Sequence, residues 1–273
     1  MAGNFNTILA VIDPTTDIQR ALARACGLAR DTGASVHAYL CCYSAESVDD
    51  YAALRRVELA RHQAWLEVLL ATHAHAGVTI TREVEWHEDW RESIARAAAR
   101  RGADLVIKSS FRRSAVRRRL LESSDWALLR HARCPVLLVK QDDVQPYACV
   151  LAACAPLSAD APHRALDVEV VALARGIAGT RAVLHAVTAC DAADRHGASR
   201  ALAARAGVAP DAAHAVVADP ADAIVDCAAL LTADLVVMGS VARGGLGALG
   251  RGNTAERALD RLDTDLLVVT LHQ

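Results

Sequence analysis

Residues 234–254 read DLVVMGSVARGGLGALGRGNT. The short apolar run Leu235–Met238, opened by Asp234 and closed by a glycine-rich segment, predicts a buried strand that ends at Met238 and feeds a loop. Asn253, with Glu256 three residues later, is a variant capping box that starts a helix with or without a ligand. Strand, glycine loop and helix N-terminus in that order aim backbone amides at an anion, so phosphate is the ligand class to consider.

The same pattern occurs earlier in the chain. Asp104–Lys140 aligns without a gap on Asp234–Thr270, placing Asp104-Leu105-Val106 on Asp234-Leu235-Val236, Arg113 on Arg243, Leu129 on Leu259 and Leu137 on Leu267. Upstream, Ile8–Pro14 parallels Val150–Pro156 and Ser35–Ala38 parallels Val183–Ala186. Each half then reads as strands and helices in alternation, and its strands are short continuous apolar runs. That is the signature of a parallel α/β sheet covered on both faces. Helices are expected over 18–32, closed by Gly33, and over 90–101, closed by Gly102. Two more are expected over 46–76, with Leu54, Val57, Trp65, Leu66 and Leu69 as its apolar stripe, and over 221–231. A polar, proline-marked link ending at Pro146 divides the chain into domains at 1–141 and 147–273.

Bulk properties narrow the class of molecule. The chain has 273 residues, 53% hydrophobic and 23% charged, with a net charge of −2. That composition describes a folded protein that is neither a membrane span nor a general nucleic-acid binder. No signal-peptide pattern opens it, which predicts a cytoplasmic location. The 8 cysteines form no C-x-x-C pair and read as free thiols in apolar surroundings, with the vicinal Cys41 and Cys42 as the one pair to test for reactivity. His73 and His75 cannot share a helix face, so a zinc site is not expected there.

Several further residues carry weight: Trp86-His87, Asp104–Lys108, Asp125-Trp126, Cys134-Pro135-Val136, the GNTAE of residues 252–256 and the DLLVV of 265–269. Together with the repeat they resemble the universal stress protein family, and are most similar to its E-type members, which fuse two such domains. The resemblance covers essentially the whole chain. It implies two open five-stranded parallel sheets packed as an intramolecular pseudo-dimer, their final strands (136–140 and 266–270) pairing, in a monomer or a homodimer. It also implies a nucleotide loop of the form G-x-x-G-x9-G-[S/T]. Here that pattern falls on Gly239, Ala242, Gly252 and Asn253, followed by Thr254; Ser240, Arg243 and Ala186 are further candidate contacts. In the first half the matching positions are Ser109, Arg112, Glu122 and Ser123, with Ser124 beside them. The family's ribose-binding aspartate maps on Asp13, whereas the second half has Ala155.

The half with the better phosphate loop therefore lacks the ribose acceptor. A Cβ where the loop needs left-handed backbone costs roughly 1 to 2 kcal/mol, and losing a charged acceptor on the order of 1.5 to 3 kcal/mol. Weak binding of ATP, with Mg²⁺, or of another adenine nucleotide is expected in the second domain. In the first, Glu122 places a negative charge beside the expected anion. Gly245-x-Gly247-x-x-Gly250 also fits a dinucleotide fingerprint, but starts too far beyond a strand ending at Met238. The Arg112–Arg119 cluster reads as a solvated loop balanced by Glu122 and Asp125, and Trp86–Trp90 as packing around a helix cap. No catalytic constellation emerges. The expected function is a non-enzymatic stress-response or regulatory protein that takes a small-molecule ligand, its protein partner unspecified. The alternatives are a slow ATPase, or a scaffold or carrier for a non-nucleotide amphipathic ligand.

Overall fold

The computed structural model describes residues 5–46, 48–72, 77–110, 124–242 and 254–272. The chain divides into two compact units, 5–144 and 145–273.

In the first unit β1 (Thr7–Val11), β2 (Ser35–Cys42), β3 (Ile80–Trp86), β4 (Leu105–Ser109) and β5 (Val136–Val139) alternate with α1 (Arg20–Thr32), α2 (Tyr51–Thr72), α3 (Trp90–Arg101) and α4 (Ser124–His131). Its strands lie in the order β3-β2-β1-β4-β5, all neighbours parallel. Gly33 and Gly102 close α1 and α3 with φ of 76° and 57°, the left-handed backbone that glycine adopts without a Cβ penalty. Helix α2 departs from its expected stripe: Leu66 and Leu69 are buried, but Val57 is 63% exposed and His62 takes the inward position. Residue 62 lies four after 58 and four before 66, so helical periodicity carries the buried row past Val57.

The second unit repeats the plan. β6 (Cys149–Ala153), β7 (Val183–Ala189), β8 (Ala213–Val216), β9 (Leu235–Ala242) and β10 (Asp265–His272) alternate with α5 (Ala161–Ala178), α6 (Arg195–Ala206), α7 (Pro220–Leu230) and α8 (Thr254–Arg261). The order is β10-β9-β6-β7-β8, again parallel. With no aromatic residue after Tyr147, the core is aliphatic, built on Val150, Leu151, Val170, Leu202 and Val236 and on Leu266–Val269.

The repeated Asp-Leu-Val has a structural cause. Asp104 accepts hydrogen bonds from the amides of Asn6 and Thr7 at 2.8 and 3.0 Å, and Asp234 from those of Ala148 and Cys149 at 2.7 and 2.8 Å. In each unit this carboxylate ties the start of the fourth strand to the start of the first.

Strand β9 does not stop at Met238. It pairs in parallel with β10 through Val241↔Leu271 and Ala242↔His272. Gly239 and Ser240 therefore belong to the strand rather than to the loop, and Gly245 follows the strand end closely. Distance from the strand is thus no reason to set the dinucleotide fingerprint aside. Its glycines, like Arg112–Ser123, lie outside the described residues.

Candidate functional site

In the second unit the chain places β7 and β8 on one side of β6, then crosses to place β9 and β10 on the other. The carboxyl ends of β6 and β9 thus flank the switch point at which open parallel sheets take ligands. Ala153 is paired with Met238, so Cys154 and Ala155 leave the sheet at the level of Gly239 and Ser240.

Gly239 does not have left-handed backbone. What it provides is room: a Cβ built there would lie 3.0 Å from Leu166 Cβ and 3.1 Å from its Cδ1. Leu166 belongs to α5 and is buried, so close helix-on-strand contact already requires glycine before any ligand is considered. Ser240 is also buried. Thr254 opens α8, which is tied to α7 by Arg257–Asp219 at 3.0 Å and by Arg261–Asp222. Arg243, Gly252 and Asn253 lie outside the described residues, and Ala242 is placed by its backbone as the end of β9. Ala186 is fully buried. It sits three residues before the end of β7, paired with Ala152 and Ala213, in the interior of the sheet.

Sequence reasoning missed Asp167. It lies on the buried face of α5 beside Leu166, Val170 and Val171, and its Oδ1 accepts the Ala155 amide at 2.9 Å. Its Oδ2 is buried with no hydrogen-bond partner among the described residues. Burial raises its pKa above the ordinary 3.8, opposed by the Ala155 amide, Arg205 and His163. An acidic residue on the apolar stripe of a helix is the signal that finds it.

The first unit fills the same position with polar contacts. The Ser109 hydroxyl accepts the Ala21 amide at 3.2 Å, satisfying a free N–H near the start of α1. Asp13 accepts the Thr15 amide and hydroxyl through Oδ1 at 2.9 and 2.6 Å, and the Gln19 side chain brackets the Asp13 backbone from both sides. Asp125 binds Lys108 Nζ and the Ser110 hydroxyl at 2.7 and 2.6 Å. These bonds fasten α4 to β4; the basic cluster it was expected to balance lies outside the described residues. Ser124 opens α4, and Arg112 and Ser123 lie outside the described residues.

The remaining reactive-looking groups have structural partners. Asp89 caps α3 by accepting the amides of Arg91 and Glu92, and Trp86 packs against Tyr43 and Tyr51 at 5.7 and 6.0 Å between ring centres. All eight cysteines are free. Burial raises the pKa of both vicinal thiols, that of Cys42 to about 11, away from a reactive thiolate. Among the described residues no helix is long and apolar enough to cross a membrane.

A family model described as "Universal stress protein family" matches residues 4–140 and 157–270. Universal stress protein E of Escherichia coli (strain K12) is 30% identical over 296 residues, covering 97% of this chain and 94% of its own. The Universal stress protein E homolog of Haemophilus influenzae is 24% identical, covering 96% of each. A crystal structure of a putative universal stress protein from Pseudomonas aeruginosa matches with a TM-score of 0.79 at 30% identity, covering 97% of this chain and 93% of that one.

Proposed function

The chain belongs to the universal stress protein family, and from that premise we propose that it is a cytoplasmic, non-enzymatic stress-response protein whose second unit takes an adenine nucleotide. One observation carries the reading: β9 ends at the switch point of its sheet, the sequence after it contains Gly244, Gly245, Gly247, Gly250 and Gly252, and the next described residue is Thr254 at the N-terminus of α8. A phosphate chain with its Mg²⁺ suits amides presented in that order. Ala155 offers the ribose no carboxylate, but Asp167 brings one to the same strand end through its bond to the Ala155 amide.

The first unit has spent the equivalent groups on itself, Ser109 on α1 and Asp13 on its own turn, and we assign it no nucleotide. Isothermal titration of the intact chain with ATP and Mg²⁺ tests the assignment. Saturable binding that is lost in Gly252→Glu and kept in Asp13→Ala supports it; the reverse pattern overturns it. Phosphate release above the level of Gly252→Glu in the same samples would favour the slow ATPase.

A carrier role is the second reading, and one feature favours it. Between α5 and α6 an open groove is lined by Pro156, Val168, Val171 and Ala201 together with Arg175 and Arg205, a surface suited to an apolar molecule with an anionic end.

A further inference from the structure

Both units place a histidine at the same point of the second strand of their sheets. Ile8 is paired with Val36 as Val150 is with Leu184, which makes His37 and His185 equivalent. By the same register Tyr39↔Glu83 matches Val187↔His214, so His214 stands where the first unit has Glu83.

The two pairs have different surroundings. His37 is 2% exposed, with Nδ1 2.8 Å from Thr81 Oγ1 and Nε2 3.2 Å from Glu83 Oε2. Arg100 and Arg101 of α3 then close on Glu83 at 2.6 and 2.8 Å. That carboxylate is neutralised, and two fixed guanidinium groups would repel any metal ion. Among the described residues the equivalent helix of the second unit supplies no such cover. Counted from their N-caps, Asp89 and Asp219, the helix positions of Arg100 and Arg101 fall on Leu230 and Leu231, and α7 contains no Lys or Arg. Both imidazoles are half-buried, and β8 is the edge strand of its sheet.

His185 Nδ1 lies 3.1 Å from His214 Nε2, with the ring centres 5.2 Å apart. Zinc binds imidazole nitrogen at about 2.0 to 2.1 Å. Two such ligands at a tetrahedral angle have nitrogens about 3.3 Å apart and ring centres about 5.2 Å apart. The pair therefore has the ring spacing of a metal-bridged pair, with its nitrogens some tenths of an ångström closer together. A small rotation of the rings admits a cation between the two nitrogens, and the proton they share moves to the outer nitrogen of its own ring, which leaves both imidazoles neutral.

We propose that His185 and His214 form a two-imidazole site for a divalent transition-metal ion of the zinc class on the edge of the second unit. No third His, Cys, Asp or Glu joins them among the described residues, so water completes the coordination. Neutral imidazoles with soft-to-borderline preference select zinc or copper over magnesium and calcium. The site is independent of the nucleotide loop.

The test is Zn²⁺ added to the intact chain, read by imidazole ¹⁵N NMR and by calorimetry. The expected result is that the ring nitrogens of His185 and His214 shift on addition of Zn²⁺ and not of Mg²⁺, and that affinity falls about tenfold or more in both His185→Gln and His214→Gln. Unchanged affinity in both variants, or zinc shifts confined to other histidines, overturns the proposal. The NMR readout on the unaltered chain decides the matter even if a variant fails to fold.

Discussion

Leu166 meets the backbone of Gly239 so closely that a side chain at 239 must displace α5 or the strand. Gly239→Val is expected to cost about 1 to 3 kcal/mol, as overpacking does in a close-packed core. Leu166→Ala in the same chain should return part of that loss, read by urea unfolding of single and double variants; additive losses would contradict the contact. Gly239 was thus legible as a special position, but its cause was not, because sequence does not show which helix crosses which strand. Asp167 was not legible as a site residue for a related reason: only the fold brings it to the Ala155 amide. A carboxyl whose pKa is raised on folding holds its proton more tightly in the folded state. It contributes most below its unfolded value, near 3.8, and loses that contribution as pH rises through the folded value. Unfolding midpoints across that window should fall with pH more steeply in the native chain than in Asp167→Asn; parallel curves would show that the carboxyl does not titrate there.

At the level of elements, Asp104 and Asp234 do the same work in separate units. Each accepts two strand-opening amides, and removing a charged acceptor leaves both unsatisfied. Asp234→Ala is expected to cost about 1 to 3 kcal/mol, Asp104→Ala a similar amount, and Asp234→Asn less, measured by denaturant midpoint. A loss below a few tenths of a kcal/mol in Asp234→Ala would mean that water replaces the carboxylate. Helix α3 was readable to its limits, since Asp89 and Gly102 are both cap residues. Strand β9 was not: Gly239 and Ser240 look like loop, and they remain in the sheet because β10 runs on to His272 and supplies partners as far as Ala242.

At the scale of the whole chain, duplication made two units of one topology whose equivalent positions have diverged. The repeat Asp104–Lys140 on Asp234–Thr270 made the parallel α/β plan visible in sequence, because buried strands read as apolar runs wherever they occur. The divergence was only half visible. Missing glycines could be read from the first unit, whereas the turn that holds Asp13 and the cap that occupies Ser109 depend on distant partners. The central claim is that the second unit alone receives the nucleotide. Photo-crosslinking of the intact chain with 8-azido-ATP, followed by proteolysis and peptide mapping, tests it most directly. The account predicts label within 145–273 that unmodified ATP competes away; competed label within 5–144 would contradict it.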